Sequence, residues 1–220
     1  MKKTKTLNTD RYLLYLYQKN IPVKEVNQTT EEYILDRVAP LFNRKGYIGT
    51  SLSDITEITQ LTKGAIYCNF KNKEDLALKA FYKNIEFVLS PMAEGIKSAT
   101  NAIDKLYAIT GFYRTYFEWS KVRGGCPLLN VGVDAQHVNP LLYQAAKETA
   151  ARLIGNLIRI IEKGIEHQQV KPETDASLLA GNIYAMIEGG VYLSMLNDDQ
   201  SYLQNILNMI DEMIEQLKRQ

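Results

Sequence analysis

Residues 29–76 are TTEEYILDRVAPLFNRKGYIGTSLSDITEITQLTKGAIYCNFKNKEDL, and they decide the fold of the amino-terminal part of the chain. Three positions in this stretch carry a capping side chain followed three residues later by a carboxylate: Thr29 with Glu32, Ser51 with Asp54, and Asn72 with Asp75. The capping side chain accepts a hydrogen bond from the third helical amide, and the carboxylate is stabilised by the positive helix end. The stretch therefore predicts three helix starts.

Apolar side chains recur at helical spacing behind these starts, so each helix has one face for burial. They are Ile34, Val38, Leu41 and Phe42 in the first helix, Leu52, Ile55 and Ile58 in the second, and Ile66 and Phe70 in the third. Only residues 60–62 separate the second helix from the third, and Thr62 is placed to cap the third. So short a connection predicts a helix-turn-helix whose third helix enters the major groove of DNA.

This stretch resembles the amino-terminal motif of the TetR-type transcriptional regulators. The shared residues are Gly46-Tyr47, Thr50-Ser51, Asp54-Ile55, Thr62-Lys63-Gly64-Ala65-Ile66-Tyr67, Phe70 and Lys73-Glu74-Asp75-Leu76, in the order and spacing of that family. The resemblance implies an amino-terminal DNA-binding domain and a carboxy-terminal domain that binds a ligand and forms a dimer.

Three residues depart from the family's pattern. Gln60 stands in the turn where Gly is usual, and a left-handed conformation would cost it about 1 kcal/mol, so we expect a tighter or shifted turn. Pro40 removes a helical hydrogen bond and predicts a bend in the first helix. Cys68 replaces the more usual His or Tyr, so the operator sequence cannot be copied from relatives.

The outer side of the third helix is the predicted DNA-reading surface. Lys63, Tyr67 and Lys73 are expected to hold phosphates, which fix the register of the protein on DNA. Base contacts are expected from the side of the helix that faces the groove floor, from Ala65, Cys68 and Asn69, and Lys63 could share them. Cys68 could equally be a partly buried filler and Lys73 a solvated side chain; the resemblance favours phosphate contact for Tyr67 and Lys73. The predicted surface also includes the helix-start residues Thr50, Ser51, Thr62 and Gly64.

Charge is divided along the 220-residue chain. Residues 1–83 hold 14 Lys and Arg against 9 Asp and Glu, a net charge of +5, whereas residues 84–220 hold 12 against 16, a net charge of −4. This asymmetry favours a DNA-facing amino-terminal domain joined to a domain that does not face DNA.

The hydrophobic content of 45% is enough for a buried core. We divide the chain into an extension at 1–28, a helix-turn-helix domain at 29–89 and an effector-binding and dimerisation domain at 90–220. The extension could be a minor-groove arm, a docking helix or a disordered tail, and its apolar aromatic residues favour the last two. It lacks a signal-peptide core, and the chain contains no transmembrane span. The two cysteines fall in different domains, which predicts no disulfide and a reducing cytoplasm.

The pattern beyond Leu76 stays helical. Helix four is predicted to stop or kink at Ser90-Pro91, and further helices are predicted over 102–121, 128–136, 140–168, 175–197 and 201–218. The predicted fold is therefore all-α, with about nine helices.

The last two helices carry faces that suit a homodimer. Spacings of three and four place Leu203, Ile206, Ile210, Met213 and Leu217 along one side of the last helix, and the preceding helix repeats the small residues Gly181, Ala185 and Gly189. Either face could instead pack against the core of its own chain. The resemblance favours the dimer, which would set two recognition helices about 34–36 Å apart on palindromic double-stranded DNA.

The helix near residue 113 is crowded with aromatic side chains, which predicts a cavity for a flat or hydrophobic small-molecule effector. The candidate apolar lining is Tyr113, Tyr116, Phe117 and Trp119. The candidate polar contacts are Asn130, Asp134, His137 and Glu188, each of which could also be a structural or solvated group.

Cys126 lies in RGGCPLLN, residues 123–130, which resembles a loop and helix start of a TetR subgroup that includes regulators responding to reactive electrophiles. In that subgroup a helix-start Cys can act as the sensor. A helix amino terminus and Arg123 would lower the pKa of the Cys126 thiol. We favour the alternative of a small buried residue that shapes the loop, because buried cysteines are commoner than low-pKa sensors.

The sequence contains no motif for catalysis, a metal or a cofactor. Nothing in the spacing of Cys126 and His137 brings them together as nucleophile and base, so an enzyme has little support. An effector-independent architectural DNA binder is a further alternative. We expect a cytoplasmic, ligand-responsive regulator, a repressor released from a palindromic operator by a hydrophobic, aromatic or electrophilic effector.

Overall fold

The structure is a computed structural model that describes residues 28–219, apart from the side chains of Trp119 and Val122. Within this range the chain forms nine α-helices and no strand, which confirms the predicted all-α fold. The helices are α1 (Thr30–Gly49), α2 (Leu52–Thr59), α3 (Lys63–Tyr67), α4 (Lys73–Ser98), α5 (Ala102–Arg123), α6 (Pro127–Asp134), α7 (Pro140–Glu166), α8 (Ala176–Asn197) and α9 (Ser201–Leu217). The predicted extension lies outside the described residues except for Gln28.

The capping side chains begin the helices where the sequence predicts them. In α1 to α4 the cap oxygen accepts a hydrogen bond from the third helical amide at 2.8–3.2 Å. The four caps are Thr29, Ser51, Thr62 and Asn72. These short-range contacts set where each helix of the small amino-terminal module begins.

Helices α1 and α4 pack side by side and support the helix-turn-helix. Their shared core contains Ile34 and Val38 from α1 and Leu76 from α4, and Ile55 and Ile66 close it from α2 and α3. These side chains are at most 1% exposed. Burial of this apolar surface fixes how the third helix projects from the module.

Three local features differ from expectation or refine it. Gln60 adopts the left-handed conformation (φ 56°), so the turn is not shifted despite the missing glycine. Helix α1 continues through Pro40 without a break, as expected, and has non-helical torsion angles at Gly46, whose φ is 71°. Helix α4 continues past Pro91 to Ser98, because a proline on the exposed side of a long packed helix can lose one backbone hydrogen bond without ending it.

Helices α5 to α9 form the carboxy-terminal bundle, in which α8 packs against both α7 and α9. A Cβ atom added to Gly190 on α8 would lie 3.3 Å from the Leu203 Cα atom, so the absence of a side chain lets α9 approach. Leu203 and Ile210 are fully buried in their own chain, and Ile206, Met213 and Leu217 pack partly buried against the same core. Leu203 and Ile210 are therefore covered by their own chain, which is the alternative given above for this face. For Ile206, Met213 and Leu217, which keep part of their exposure, a place at a dimer interface stays a prediction. Helical spacing shows which residues lie on one side of a helix, but not which other helix packs against that side.

Candidate DNA interface and effector region

The third helix is anchored on one side and open on the other. Ile66 is fully buried, and Phe70 just after the helix is 1% exposed. On the opposite side Lys63, Gly64 and Cys68 are exposed, with Ala65 and Tyr67 partly exposed. The buried pair holds the helix in place, so its outer side is presented as a fixed surface of the size that a DNA groove accepts.

Two residues of the predicted DNA surface are used inside the protein. Thr50 is fully buried and its hydroxyl donates to the Gly46 carbonyl at 2.7 Å, so its side chain is not available to DNA. Asn69 is partly buried and its amide donates to the Ala65 carbonyl at 2.9 Å. That bond leaves one amide hydrogen and the carbonyl oxygen of the Asn69 side chain for other partners.

Lys73, the first residue of α4, is only partly exposed. Its Nζ atom lies 4.5 Å from the centroid of the Tyr47 ring, and burial lowers the pKa of this ammonium group. The aromatic ring restricts the lysine to one side of the helix start. Ser51 and Thr62 remain at least partly exposed while their hydroxyls cap α2 and α3.

Two of the predicted effector residues on α5, Tyr113 and Tyr116, form a buried aromatic cluster. Tyr113, Tyr116 and Phe117 are all buried, and the rings of Tyr113 and Tyr116 meet edge to face with centroids 5.3 Å apart. Cys126 is buried beside them, and its thiol donates to a carboxylate oxygen of Glu188 at 3.7 Å. The structure thus brings four of the predicted ligand residues together, namely Tyr113, Tyr116, Cys126 and Glu188.

The cluster has unusual acid–base properties. Burial, followed by the negative charge of Glu188, raises the pKa of the Cys126 thiol to about 12. Backbone amides at the start of α6 oppose this shift but are outweighed, and the Arg123 guanidinium lies 3.5 Å from the Phe87 ring centroid. The expected lowering by the helix start is therefore present but outweighed, no contribution of Arg123 is among the causes of the shift, and the net change in the thiol pKa is upward. Burial also raises the pKa of the Glu188 carboxyl to about 7.

The other predicted ligand residues lie elsewhere. His137 is exposed in the loop after α6, and the Trp119 side chain lies outside the described residues. The Asn130 amide donates to the Asn43 carbonyl at 2.9 Å and to the Gly124 carbonyl at 2.8 Å. These bonds give Asn130 a structural role between α1 and the loop before α6, instead of a place in a cavity.

A junction between α1 and the α5–α6 region was not predicted. The Asn43 amide donates to the carbonyls of Arg123 and Gly125, both at 2.9 Å. Asp134, at the end of α6, accepts from the Tyr47 amide at 2.7 Å. The sequence signal that could have indicated this contact was the pair of glycines in the α5–α6 loop, because Gly124 has a φ of 87° and leaves room for α1.

Exposed apolar side chains of the last two helices lie next to the predicted small residues of α8 and next to Ile206 and Met213 of α9. Leu178, Tyr192 and Leu196 on α8 and Tyr202 and Met209 on α9 are 40–64% exposed. Gly181 and Gly189 on α8 have open space where a side chain would stand. Ala185 is exposed between them. We call these residues the α8–α9 face; the small residues of the predicted dimer surface belong to it.

Two general features bear on function. No helix among the described residues is long and apolar enough to cross a membrane. Within residues 28–219, no group of three or more His, Cys, Asp or Glu side chains is arranged to hold a metal ion.

Comparison with known proteins agrees with this architecture. Residues 34–80 match the family described as bacterial regulatory proteins of the tetR family, and residues 102–210 match the tetracyclin repressor-like carboxy-terminal domain. A TetR-family transcriptional regulator from Cytophaga hutchinsonii is 32% identical, with a TM-score of 0.81 over 87% of this chain and 96% of its own. A TetR regulator from Chloroflexus aurantiacus is 33% identical, with a TM-score of 0.81 over 86% and 96% of the two chains.

A further relative is a fatty acid metabolism regulator protein from Bacillus subtilis, which is 25% identical over 82% of this chain and 91% of its own. The matches cover both the helix-turn-helix and the carboxy-terminal bundle. The chain belongs to the TetR family of bacterial transcriptional regulators, which are ligand-responsive DNA-binding repressors.

Proposed function

We propose that the protein acts as a homodimer that places two copies of α3 in successive major grooves of a palindromic operator. This proposal rests on the unequal exposure of the two sides of α3, because Ile66 is buried and Lys63, Gly64 and Cys68 are exposed. Lys63 and Lys73 supply phosphate contacts, and Tyr67 adds its hydroxyl. Ala65, Cys68 and the free half of the Asn69 amide are the candidates for base contacts.

The dimer is proposed to form through the α8–α9 face. Exposed leucines and tyrosines on two adjacent helices make an apolar surface that water solvates poorly, and the small residues on α8 let a second helix backbone approach. A two-fold axis through this face would double the helix pair into a four-helix interface. The second recognition helix then lies on the same side of the assembly as the first.

The effector is proposed to act on the cluster around Cys126 and Glu188. Cys126 directly follows Gly124 and Gly125, whose carbonyls accept hydrogen bonds from Asn130 and Asn43. A hydrophobic or aromatic ligand that displaces the rings of Tyr113 or Tyr116 would therefore move the loop that holds α1. Because TetR-type release needs an effector that prefers the released state, a coupling of about 1–3 kcal/mol is expected.

Direct sensing of electrophiles at Cys126 is less well supported than noncovalent ligand binding. The thiolate is the nucleophile, and a thiol with a pKa of about 12 is almost wholly protonated at neutral pH. The same argument weighs against an enzyme with Cys126 as nucleophile, and His137 is exposed on a different loop. We therefore propose a non-enzymatic regulator that acts in the cytoplasm, where the chromosome lies.

The test is selection of DNA from a random pool by the purified protein, followed by salt titration of the selected site. A palindrome is expected, and Lys73→Gln should reduce the salt slope by about one because one phosphate contact is lost. The matched control is Lys147→Gln, an exposed lysine on α7. Failure to enrich any sequence would refute the operator proposal, and an unchanged slope would remove Lys73 from the phosphate contacts. An effector-independent architectural binder would keep its DNA affinity in the presence of metabolite extracts.

A further inference from the structure

A basic cleft opens where the carboxy-terminal end of α4 meets the start of α5 and the outer side of α7. Its volume is about 540 Å³, which is within the size range of small-molecule sites. Its positively charged and hydrogen-bonding lining includes Lys97, Lys105, Asn156, Arg159, Lys163 and His167. None of these residues belongs to the effector cluster or to the α8–α9 face.

The cleft is lined by positively charged side chains, although the part of the chain around it has a net negative charge. Residues 84–220 have a net charge of −4, yet four of their twelve Lys and Arg residues line this one cleft. None of the sixteen Asp and Glu residues of that part lines it. Such segregation concentrates positive potential in a concave surface and attracts anions.

The cations of the cleft are not neutralised by the protein. Among the described residues, ion pairs form at six other places and involve none of Lys97, Lys105, Arg159 and Lys163. Asp104 at the start of α5 is held by Thr100 and Asn101, whose side chains donate to its carboxylate at 3.2 and 2.7 Å. The four positive charges of the cleft are therefore not used in ion pairs within the described residues and are available to an anion.

Arg159 is already oriented. Its Nε atom donates to the Gly155 carbonyl at 3.1 Å, and one terminal nitrogen donates to the Asn156 side chain at 3.0 Å. The remaining N–H groups of the planar guanidinium are therefore presented in a fixed direction, which lowers the entropy lost on binding. Ala93, Ile96 and Ile160 add an apolar wall to the same cleft.

We propose that this cleft binds a small organic phosphate that carries at least two negative charges, such as a nucleoside diphosphate. The cations would hold the phosphate groups through charge-assisted hydrogen bonds, and the apolar wall would contact the organic part. Operator DNA is not the occupant, because Lys97 is 24 residues along α4 from Lys73, a distance of roughly 35 Å at 1.5 Å per residue. The proposal does not depend on the operator or dimer assignments.

Calorimetric titration of the full chain with ADP, pyrophosphate and adenosine tests the proposal. We expect ADP and pyrophosphate to bind and adenosine not to bind, with affinities that fall as salt is raised. Tighter binding of ADP than of pyrophosphate identifies an organic phosphate, and equal affinities would overturn the organic part of the proposal. Equal binding of ADP and adenosine, or no phosphate binding at millimolar concentration, would overturn the anion site.

Three variants locate the binding. Lys105→Gln with Lys163→Gln should weaken ADP binding by about tenfold or more, because two charge-assisted contacts are lost. Lys147→Gln with Lys171→Gln removes the same charge outside the cleft and should leave the affinity almost unchanged. Lys63→Gln with Lys73→Gln should retain ADP binding; if this variant alone lost it, the phosphate would bind at the DNA surface and the cleft assignment would fail. Circular dichroism melting of each variant reports whether it is folded.

Discussion

Glu188→Gln should make the protein more stable at alkaline pH, because it removes a carboxylate that the fold penalises. Burial raises the pKa of Glu188 from 4.5 to about 7, and the hydrogen bonds from Cys126 and Tyr184 offset only part of that shift. Glutamine has nearly the same shape and keeps an oxygen that can accept from the Cys126 thiol. The variant therefore changes the charge with little change in packing.

The sign and size of the effect follow from proton linkage. Between pH 4.5 and 7 the folded state binds more protons at Glu188 than the unfolded state, so the wild-type protein loses stability as the pH rises through this window. A shift of about 2.5 pKa units corresponds to at most about 3 kcal/mol, and partial exposure of the side chain reduces this to about 2 kcal/mol. Above pH 7 the loss is complete. The Cys126 thiol, with a pKa of about 12, stays protonated throughout and does not contribute.

Urea unfolding of wild type and variant at pH 5, 6, 7 and 8, at one protein concentration, measures the difference. The two proteins should have similar stability at pH 5, and the variant should be more stable by about 2 kcal/mol at pH 8. Taking the difference cancels other carboxylates such as Asp54, whose pKa is lowered by Lys45 and Ser51. Glu166→Gln, at an exposed position of α7, is the control and should show no such trend. A difference that does not vary with pH would refute the raised pKa of Glu188.

Three further substitutions test the packing and the interfaces. Gly46→Ala should lower the free energy of unfolding by about 1–2 kcal/mol, because φ is 71° and the new Cβ atom would lie 2.7 Å from a carboxylate oxygen of Asp134. Urea unfolding measures this change. Gly49→Ala is the control, because the nearest atom to its new Cβ atom would be 3.6 Å away. Leu203→Ala should cost about 2–5 kcal/mol in the same assay, whereas Leu178→Ala, 63% exposed, should cost little in the monomer; similar costs would contradict the burial of α9. Leu196→Asp should shift the protein from dimer to monomer in analytical ultracentrifugation while preserving helical circular dichroism, and a retained dimer mass would place the interface elsewhere.

The parts of the fold that the sequence predicted depend on short-range contacts. Each of the four amino-terminal caps joins two residues three positions apart, so a local pattern contains both partners. The interruption at Gly46 was not predictable in this way, because its left-handed conformation accompanies a contact with Asp134, on another helix. At Pro40 the local pattern predicted a bend and not a break, and the helix does continue through this residue.

The sequence grouped Tyr113 and Tyr116 on α5 as candidate effector residues, and their rings are in contact in the structure. Their role in binding an effector stays a prediction. The pKa of the Cys126 thiol could not be predicted locally, because it depends on Glu188, which is 62 residues away. A helix start by itself indicates a lowered thiol pKa, and the structure reverses that direction because burial and a carboxylate outweigh the backbone amides. On α9 the spacing of apolar residues correctly indicated a face for burial. The spacing could not show that α8 of the same chain packs against part of this face, because that depends on the tertiary structure.

The junction at Asn43 would connect the proposed effector cluster physically to the helix-turn-helix. Both amide hydrogens of Asn43 are used by the α5–α6 loop, and the Asn130 amide returns a hydrogen bond to the Asn43 carbonyl. Because these groups lie in a largely buried contact, separating α1 from the loop would leave several polar atoms without partners, which costs more than moving the two together. A displacement of the loop is therefore expected to carry α1, and with it the helix-turn-helix, as a unit. Asp134 adds a second point of attachment through the Tyr47 amide, so two separated contacts fix the orientation of α1 as well as its position.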